Sequence, residues 1–403
     1  MSKQPETISS WISAAEAART LGVTRPTLYA YVSRGLVRSE PGTSATRERR
    51  YAGEDIERLK RRADERRNPD KVASHALQWG MPVLESEITL IADERLYYRG
   101  HDAVKLATEQ SVDAVASLIW TGALDTARPP SRKGKRGEHG GARQAPFITR
   151  AQASLALASA TDPRAFDFRR ETVVETGWRI LDLVVGAAAS PVDEGSIDET
   201  LARAWKVRPR GQEVIRAALI LCADHELNVS AFTARCVASA GSHPYAVVVA
   251  GLAALEGIKH GGSTARVESM LASLRRERSL RSALTGRLRQ GQRVDGFGHP
   301  LYRQGDPRAI ALLEMLDERF PKSAELRFVR DLARISESLT GEKPNLDFAL
   351  GSVSRVLGLP PMSGLTLFAI GRTIGWIGHA IEQYAVNQII RPRARYVGVA
   401  PVG

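Results

Sequence analysis

Beyond Pro146 the chain repeats a single signal. Apolar residues return every three or four positions through "RAQASLALASA" (150–160), "ETVVETGWRILDLVVGAA" (171–188), "GQEVIRAALILCADHE" (211–226) and "PYAVVVAGLAALEG" (244–257). The same holds for "ARVESMLASLRRER" (265–278), "PRAIALLEMLDERF" (307–320) and "LTLFAIGRTIGWIGHAIEQYAV" (365–386). This spacing gives each segment one apolar face and predicts helices. Only Glu85 to Tyr98, "ESEITLIADERLYY", alternates as strands do. The main body is therefore expected to be all-α, with a small β element at its start. Its most apolar run, "AVVVAGLAAL" (246–255), is too short to span a bilayer and reads as a buried helix.

A length of 403 residues with 43% apolar content can build a core, and suggests two or three domains. There is a formal charge of +12, mostly from arginine, which favours anionic partners such as nucleic acid, phosphorylated cofactors or carboxylates. The two cysteines, Cys222 and Cys236, make neither a disulfide framework nor a zinc set. With no apolar signal core in "MSKQPETISSW", the expectation is a soluble, cytoplasmic protein with no membrane and no metal. The stretch 128–146, "RPPSRKGKRGEHGGARQAP", reads as an exposed basic loop, either a tolerated insertion or an anion-binding arm.

Near the N-terminus, Ser13 and Glu16 have capping-box spacing, with a short helix expected over 14–20. A turn at Leu21-Gly22-Val23 leads to a second helix, capped by Thr24 and running through Ser33, with Pro26 in its first turn. This is helix-turn-helix geometry, whose second helix can enter the major groove. Arg25, Thr27, Tyr29 and Arg34 would form its polar surface, and Arg49 and Arg50 of "RERRY" a basic wing against phosphate. The module resembles the DNA-binding domain of the MerR and excisionase families, through "AAEAARTLGVTRPTLYAYVSRGLV" and "RRYAGEDIERL". It is placed at 8–65, with a linker at 66–76 around "RRNPDKVAS". DNA is thus one candidate partner; a docking module that no longer touches DNA is the alternative.

Four segments of the main body carry unusual residues. In "ADHELNVSAFTAR", His225 lies among Asp224, Glu226 and Asn228 at the end of an apolar helix. In "GIKHGGSTARVESML", His260 precedes two glycines and a helix start, where the helix dipole disfavours its protonation. "VDGFGHPLYRQGDPRA" carries His299, Arg303 and Arg308. "KPNLDFALGSVSRVLG" carries Asp347 in an otherwise apolar stretch. Taken singly, each histidine could be a cap or a satisfied core residue, and Asp347 an N-cap.

Together with "ESEITLIADERLYYRGHDAVKLA", "LIWTG" and "GRTIGWIGHAIEQYAVNQIIRPRARYVG", these segments resemble the citrate synthase family from about Gly80 to Gly398. The resemblance implies all-α large and small domains over 77–403, the small one roughly 258–360. It implies an acyltransferase that condenses acetyl-CoA with oxaloacetate and then hydrolyses the thioester, giving citrate and CoA with no further cofactor. Asp347 matches the base that removes the α-proton, His260 the donor to the enolate oxygen, and His299 the general acid at the ketone. His225, Arg308, Arg372 and Arg391 match oxaloacetate-binding residues, Arg391 acting across a homodimer, and Arg303 matches a contact to CoA phosphate.

Departures from the family pattern are Cys222 where histidine is common, Pro300 in "GHPLYR" where "GHRVYK" is frequent, and "HGGST" for "HGGAN". They bear on affinity and acyl preference. Two alternatives stand beside the main reading: a 2-methylcitrate synthase using propionyl-CoA, and a DNA-binding regulator whose synthase body senses metabolites. One methylene changes discrimination by only about 1–3 kcal/mol, so the motifs do not decide the acyl group.

Overall fold

The helical periods of the sequence become helices throughout the main body of the computed structural model, which describes residues 11–42, 49–56, 59–60, 84–125, 144–189 and 195–399. The expected linker at 66–76 lies outside the described residues, as does the basic loop at 128–146 up to residue 143. The chain divides into two units, residues 1–85 and 86–403.

In the first unit β1 (Trp11–Ser13) leads into α1 (Ala14–Leu21) and α2 (Arg25–Ser33), followed by β2 (Ser39–Pro41) and β3 (Arg49–Ala52). β3 pairs antiparallel with β1 on one side and β2 on the other. Ser13 caps α1 by accepting the Glu16 N–H, and Gly22 ends it at φ +63, a left-handed cap that glycine adopts without strain. Thr24 stands at the N-cap of α2 but makes no cap bond; its hydroxyl instead pairs with that of Thr27, 2.9 Å away. Ala17, Leu28, Val37, Tyr51 and Ile56 close the small core. Arg25, Tyr29, Arg34, Arg49 and Arg50 face outward, and Thr27 is half-buried.

The second unit opens with an antiparallel sheet of β4 (Thr89–Ala92), β5 (Arg95–Tyr98) and β6 (His101–Asp102). Helices α3 (Ala103–Glu109), α4 (Val112–Thr121), α5 (Phe147–Thr161), α6 (Arg170–Ala188) and α7 (Ile197–Ala204) follow. Then come α8 (Pro209–Leu221), α9 (Val229–Ser239), α10 (Pro244–Leu255), α11 (Gly262–Leu274) and α12 (Leu280–Arg289). The unit ends with α13 (Pro307–Arg319), α14 (Ala324–Thr340), α15 (Leu346–Leu357) and α16 (Ser363–Val386). No described helix is long and apolar enough to cross a membrane.

One boundary differs from the sequence expectation. The segment 211–226 does not stay helical to its end: α8 stops at Leu221, and Cys222 to Glu226 form a turn, with Glu226 at φ +51. The Tyr98 hydroxyl, buried behind this turn, binds the carbonyl oxygens of Ile220 at 3.0 Å and Asp224 at 3.2 Å. It thereby satisfies acceptors that the helix end leaves open. Asn228 then caps α9 through the N–H groups of Ser230 and Ala231. His225 is thus held in a turn between two helices rather than on a helix end.

α16 runs through the middle of this unit. It packs against α4, α6, α8, α9, α10, α11 and α15, and nearly every residue from Ser363 to Ile381 is buried. A helix enclosed on all sides cannot be amphipathic, which explains its run of apolar and small residues. Gly371 and Gly375 lie four residues apart, on one face. A Cβ on Gly371 would stand 2.4 Å from the Leu219 carbonyl oxygen, and one on Gly375 2.3 Å from that of Ala223. The end of α8 therefore rests directly on the α16 backbone. Gly375→Ala should destabilise the second unit by about 1–3 kcal/mol, because backbone must move to admit the methyl. Denaturant unfolding of the full chain measures this, and an unchanged midpoint would contradict the close approach.

Candidate active site

The turn after α8 sits over α16, and this contact places the first charged group. Arg372 on α16 is 1% exposed. Its Nε donates to the Cys222 carbonyl at 2.7 Å, while its Nη2 is buried without a hydrogen-bond partner among the described residues. The guanidinium lies 4.9 Å above the Phe368 ring. Burial lowers its pKa, with the Asp224 carboxylate acting in the opposite sense. Asp224 does not bond to it. That carboxylate is taken by His379 at 3.1 Å and by the Thr89 hydroxyl at 2.6 Å. A buried cation with an unused N–H is an arrangement that an anion completes.

His260 stands just before the N-terminus of α11, its ring 5.7 Å from that of Phe368. Its Nε2 lies 2.8 Å from the Ser230 hydroxyl. Burial first, and Arg372 second, lower its pKa to about 4. The imidazole is neutral at pH 7, as the sequence suggested, with burial and the neighbouring Arg372 cation both disfavouring its protonation.

The loop 298–306 brings the second group. Gly298 donates its N–H to the Lys343 carbonyl at 2.9 Å, and Asn345 Nδ2 binds the Gly298 carbonyl at 3.1 Å. His299 follows, with its ring 5.3 Å from that of His225 and 4.8 Å from that of Tyr302. The proline after it leaves a needed donor in place, since the Leu301 N–H donates to His299 Nδ1 at 3.2 Å. A neutral imidazole accepting at Nδ1 carries its proton on Nε2. Burial and then Arg308 lower the His299 pKa to about 4. His225 is more strongly affected: burial, then Arg308, Arg372 and His299 push it well below the ordinary value. Its Nε2 is 2.9 Å from the Tyr302 hydroxyl.

Arg308, in the first turn of α13, is almost fully buried and grips Asp306 with two bonds, Nε to Oδ1 at 2.9 Å and Nη2 to Oδ2 at 2.8 Å. Burial opposes its charge, but the Asp306 carboxylate outweighs that and keeps it cationic. Asp306 also accepts the Leu346 N–H at 3.1 Å, which ties α13 to the start of α15. Asp347 lies in the first turn of α15. It is not the N-cap: Asn345 occupies that position and accepts the Asp347 N–H at 3.0 Å. Burial raises the Asp347 pKa, and hydroxyl donors from Thr264 and Ser263 on α11 moderate the rise. The carboxylate is thus a stronger base than one in water.

Arg303 is exposed and, with Arg293, Lys343, His299 and Asp306, lines a cleft of about 460 Å³. That volume is within the range of small-molecule sites, and the cationic rim suits an anionic ligand. Arg391 is exposed on the irregular segment after α16. Sequence reasoning passed over Tyr302, Ser230, Thr264 and Asp306, which hold His225, His260, Asp347 and Arg308. Asp306 was legible beside Arg308 in "DPR"; the hydroxyl groups carried no spacing signal. The described residues hold no cluster of His, Cys, Asp and Glu suited to a metal.

Comparison with known proteins places these features in context. The family profile "Citrate synthase, C-terminal domain" matches residues 76–393, and "MerR HTH family regulatory protein" matches residues 12–62. The chain is 39% identical over 189 residues to Citrate synthase 2 of Bacillus subtilis, a match covering 46% of this chain and 51% of that one. It is 34% identical over 193 residues to a 2-methylcitrate synthase of Shewanella oneidensis, covering 47% and 51%. The chain therefore spans about half the length of these curated relatives. A longer match, 31% identical over 357 residues, covers 79% of this chain and 94% of a citrate synthase from Haloferax volcanii. The crystal structure of citrate synthase from Thermotoga maritima superposes with a TM-score of 0.67 at 27% identity, covering 80% of this chain and 96% of that one.

The two histidines have a consequence for stability. Between pH 6.5 and 4 the unfolded chain binds protons at His260 and His299 that the folded chain refuses. Stability present above pH 6.5 is therefore lost as pH falls through that window. His299→Gln, which removes one such group, should show a shallower fall in melting temperature between pH 7 and pH 5. An equal slope in the two proteins would contradict the neutral, half-buried imidazole.

Proposed function

The chain belongs to the citrate synthase family, and from that premise we propose that it condenses acetyl-CoA with oxaloacetate and hydrolyses the product to citrate and CoA. The observation that carries this reading is Arg372, a buried guanidinium with an unused N–H beside the neutral imidazoles of His260 and His225. Oxaloacetate supplies the missing anion as a carboxylate, with Arg308 and His225 nearby to take the rest of the molecule and Arg391 reaching the site of a second copy. The cationic rim at Arg303 meets the phosphates of CoA.

The acetyl group of the thioester loses an α-proton to Asp347, whose raised pKa gives it the needed basicity. His260 stabilises the enolate oxygen. That role requires the Ser230 hydroxyl, which lies 2.8 Å from both Asn228 Oδ1 and His260 Nε2, to turn its single proton from Asn228 to Nε2, so that the N–H stands on Nδ1 for the substrate. The enolate carbon attacks the ketone carbon of oxaloacetate, and His299 Nε2–H donates to the oxygen that becomes the citrate hydroxyl. Water then cleaves the thioester. The chemistry needs no cofactor beyond the CoA substrate. Thiol release from acetyl-CoA and oxaloacetate by the purified chain is the test, and Asp347→Ala should lower kcat by roughly 10²- to 10⁴-fold. A folded protein releasing no thiol, or an Asp347→Ala variant as active as the parent, would overturn the assignment. The same assay with propionyl-CoA decides between citrate and 2-methylcitrate synthesis.

A second reading concerns the N-terminal unit. Arg25, Tyr29 and Arg34 are exposed on and beside α2, and Arg49 and Arg50 on β3, which supports DNA binding by helix and wing. Duplex binding that weakens steeply with salt, and weakens further in Arg49→Ala/Arg50→Ala, is the expected result. Binding indifferent to salt and to both arginines would exclude it.

A further inference from the structure

The sheet at the start of the second unit touches two of the three histidine-bearing segments, those of His225 and His299. At its base, the Thr89 hydroxyl binds Asp224 at 2.6 Å and the Tyr98 hydroxyl binds the carbonyls of Ile220 and Asp224. The Ile91 backbone lies beside the Glu226 carboxylate and lowers its pKa against the rise that burial causes. These contacts hold the turn that carries His225. At its tip, Ala92 pairs with Arg95, so Asp93 and Glu94 form a two-residue turn. Both have positive φ, +50 for Asp93 and +59 for Glu94. Such turns favour glycine or asparagine, so glutamate at the second position is held against its backbone preference. Its carboxylate has a use that glycine lacks. Oε1 accepts the Arg303 N–H at 3.2 Å, and Oε2 accepts the Gln304 N–H at 2.7 Å.

Those two N–H groups belong to the loop that carries His299 and Tyr302. On its other side the loop is gripped by Lys343 Nζ, which binds the Gln304 carbonyl at 3.0 Å, and by Asn345 at the Gly298 carbonyl. The loop therefore lies between the hairpin tip and the start of α15. We propose that Glu94 is a positioning residue: its carboxylate clamps the backbone of Arg303 and Gln304 and fixes the His299 loop against the turn bearing His225. One rigid hairpin then sets the spacing of two imidazoles that must meet the same ketone and carboxylate. A free loop would let His299 drift, and a shift of about 1 Å in a reacting group can cost on the order of 100-fold in rate. The inference rests on the condensation proposed above.

The test uses the full chain with Glu94→Ala and Glu94→Gln. In Glu94→Ala, amide hydrogen exchange at residues 301–305 should speed up by roughly tenfold or more, while exchange in α8 stays as in the parent. In the same variant kcat/KM should fall about 10- to 100-fold, with the KM for oxaloacetate raised and the melting temperature unchanged. Glu94→Gln keeps one acceptor oxygen and should fall between parent and alanine variant. Loop exchange at the parental rate, kinetics within about twofold of the parent, or activity lost only in step with melting temperature would each overturn the clamp. A parent chain that releases no thiol would sink the condensation instead, and loop exchange would still decide the clamp.

Discussion

A guanidinium buried in the middle of an all-helical core is the constraint around which this structure is arranged. Arg372 sits on a helix enclosed on every side, and one of its N–H groups finds only the Cys222 carbonyl at the end of α8. That carbonyl is within reach because Gly371 and Gly375 let α8 lie against the α16 backbone. The carboxylate that acts most strongly on it, Asp224, is drawn off by His379 and Thr89. The charge is thereby desolvated, oriented and left short of an anion. Burying an arginine in this way is costly unless something completes it.

The titrating groups follow from the same field. Burial first and two neighbouring arginines second keep three imidazoles neutral over the physiological range, one of them buried and two half-buried. A neutral imidazole keeps one N–H to donate and one nitrogen to accept, so a partner on one side can aim its donor at developing negative charge on the other. Asp347 is pushed the other way by the same exclusion of water. Arg308, paired to Asp306, and Arg372, unpaired, are two solutions to one problem. The first charge is fixed as scaffold with one nitrogen to spare, and the second is held open.

Much of this was legible in the sequence. The helical periods located the helices of the main body, and "ESEITLIADERLYY" located the hairpin. The spacing of Gly261 and Gly262 after His260 marked a helix start, which is where α11 begins. Other features were not. Asn345, not Asp347, caps α15, because two residues of the right type stand two apart and only the backbone decides which takes the N-cap conformation. The end of α8 at Leu221 depends on a tyrosine more than a hundred residues upstream. Thr24 and Thr27 pair with each other although either alone reads as a capping or contact residue. Glu94 drew no notice, since nothing about a glutamate in a turn says which backbone it will reach.

The sequence by itself determined which segments are helical, which residues are chemically capable, and the family to which they belong, because periodicity and motif order are written along the chain. Only the tertiary structure decided what those residues experience. Whether a histidine is neutral, an arginine paired or a carboxylate basic depends on burial and on charges brought from distant segments. Coulomb attraction and desolvation act through space, and spacing along the chain does not encode them.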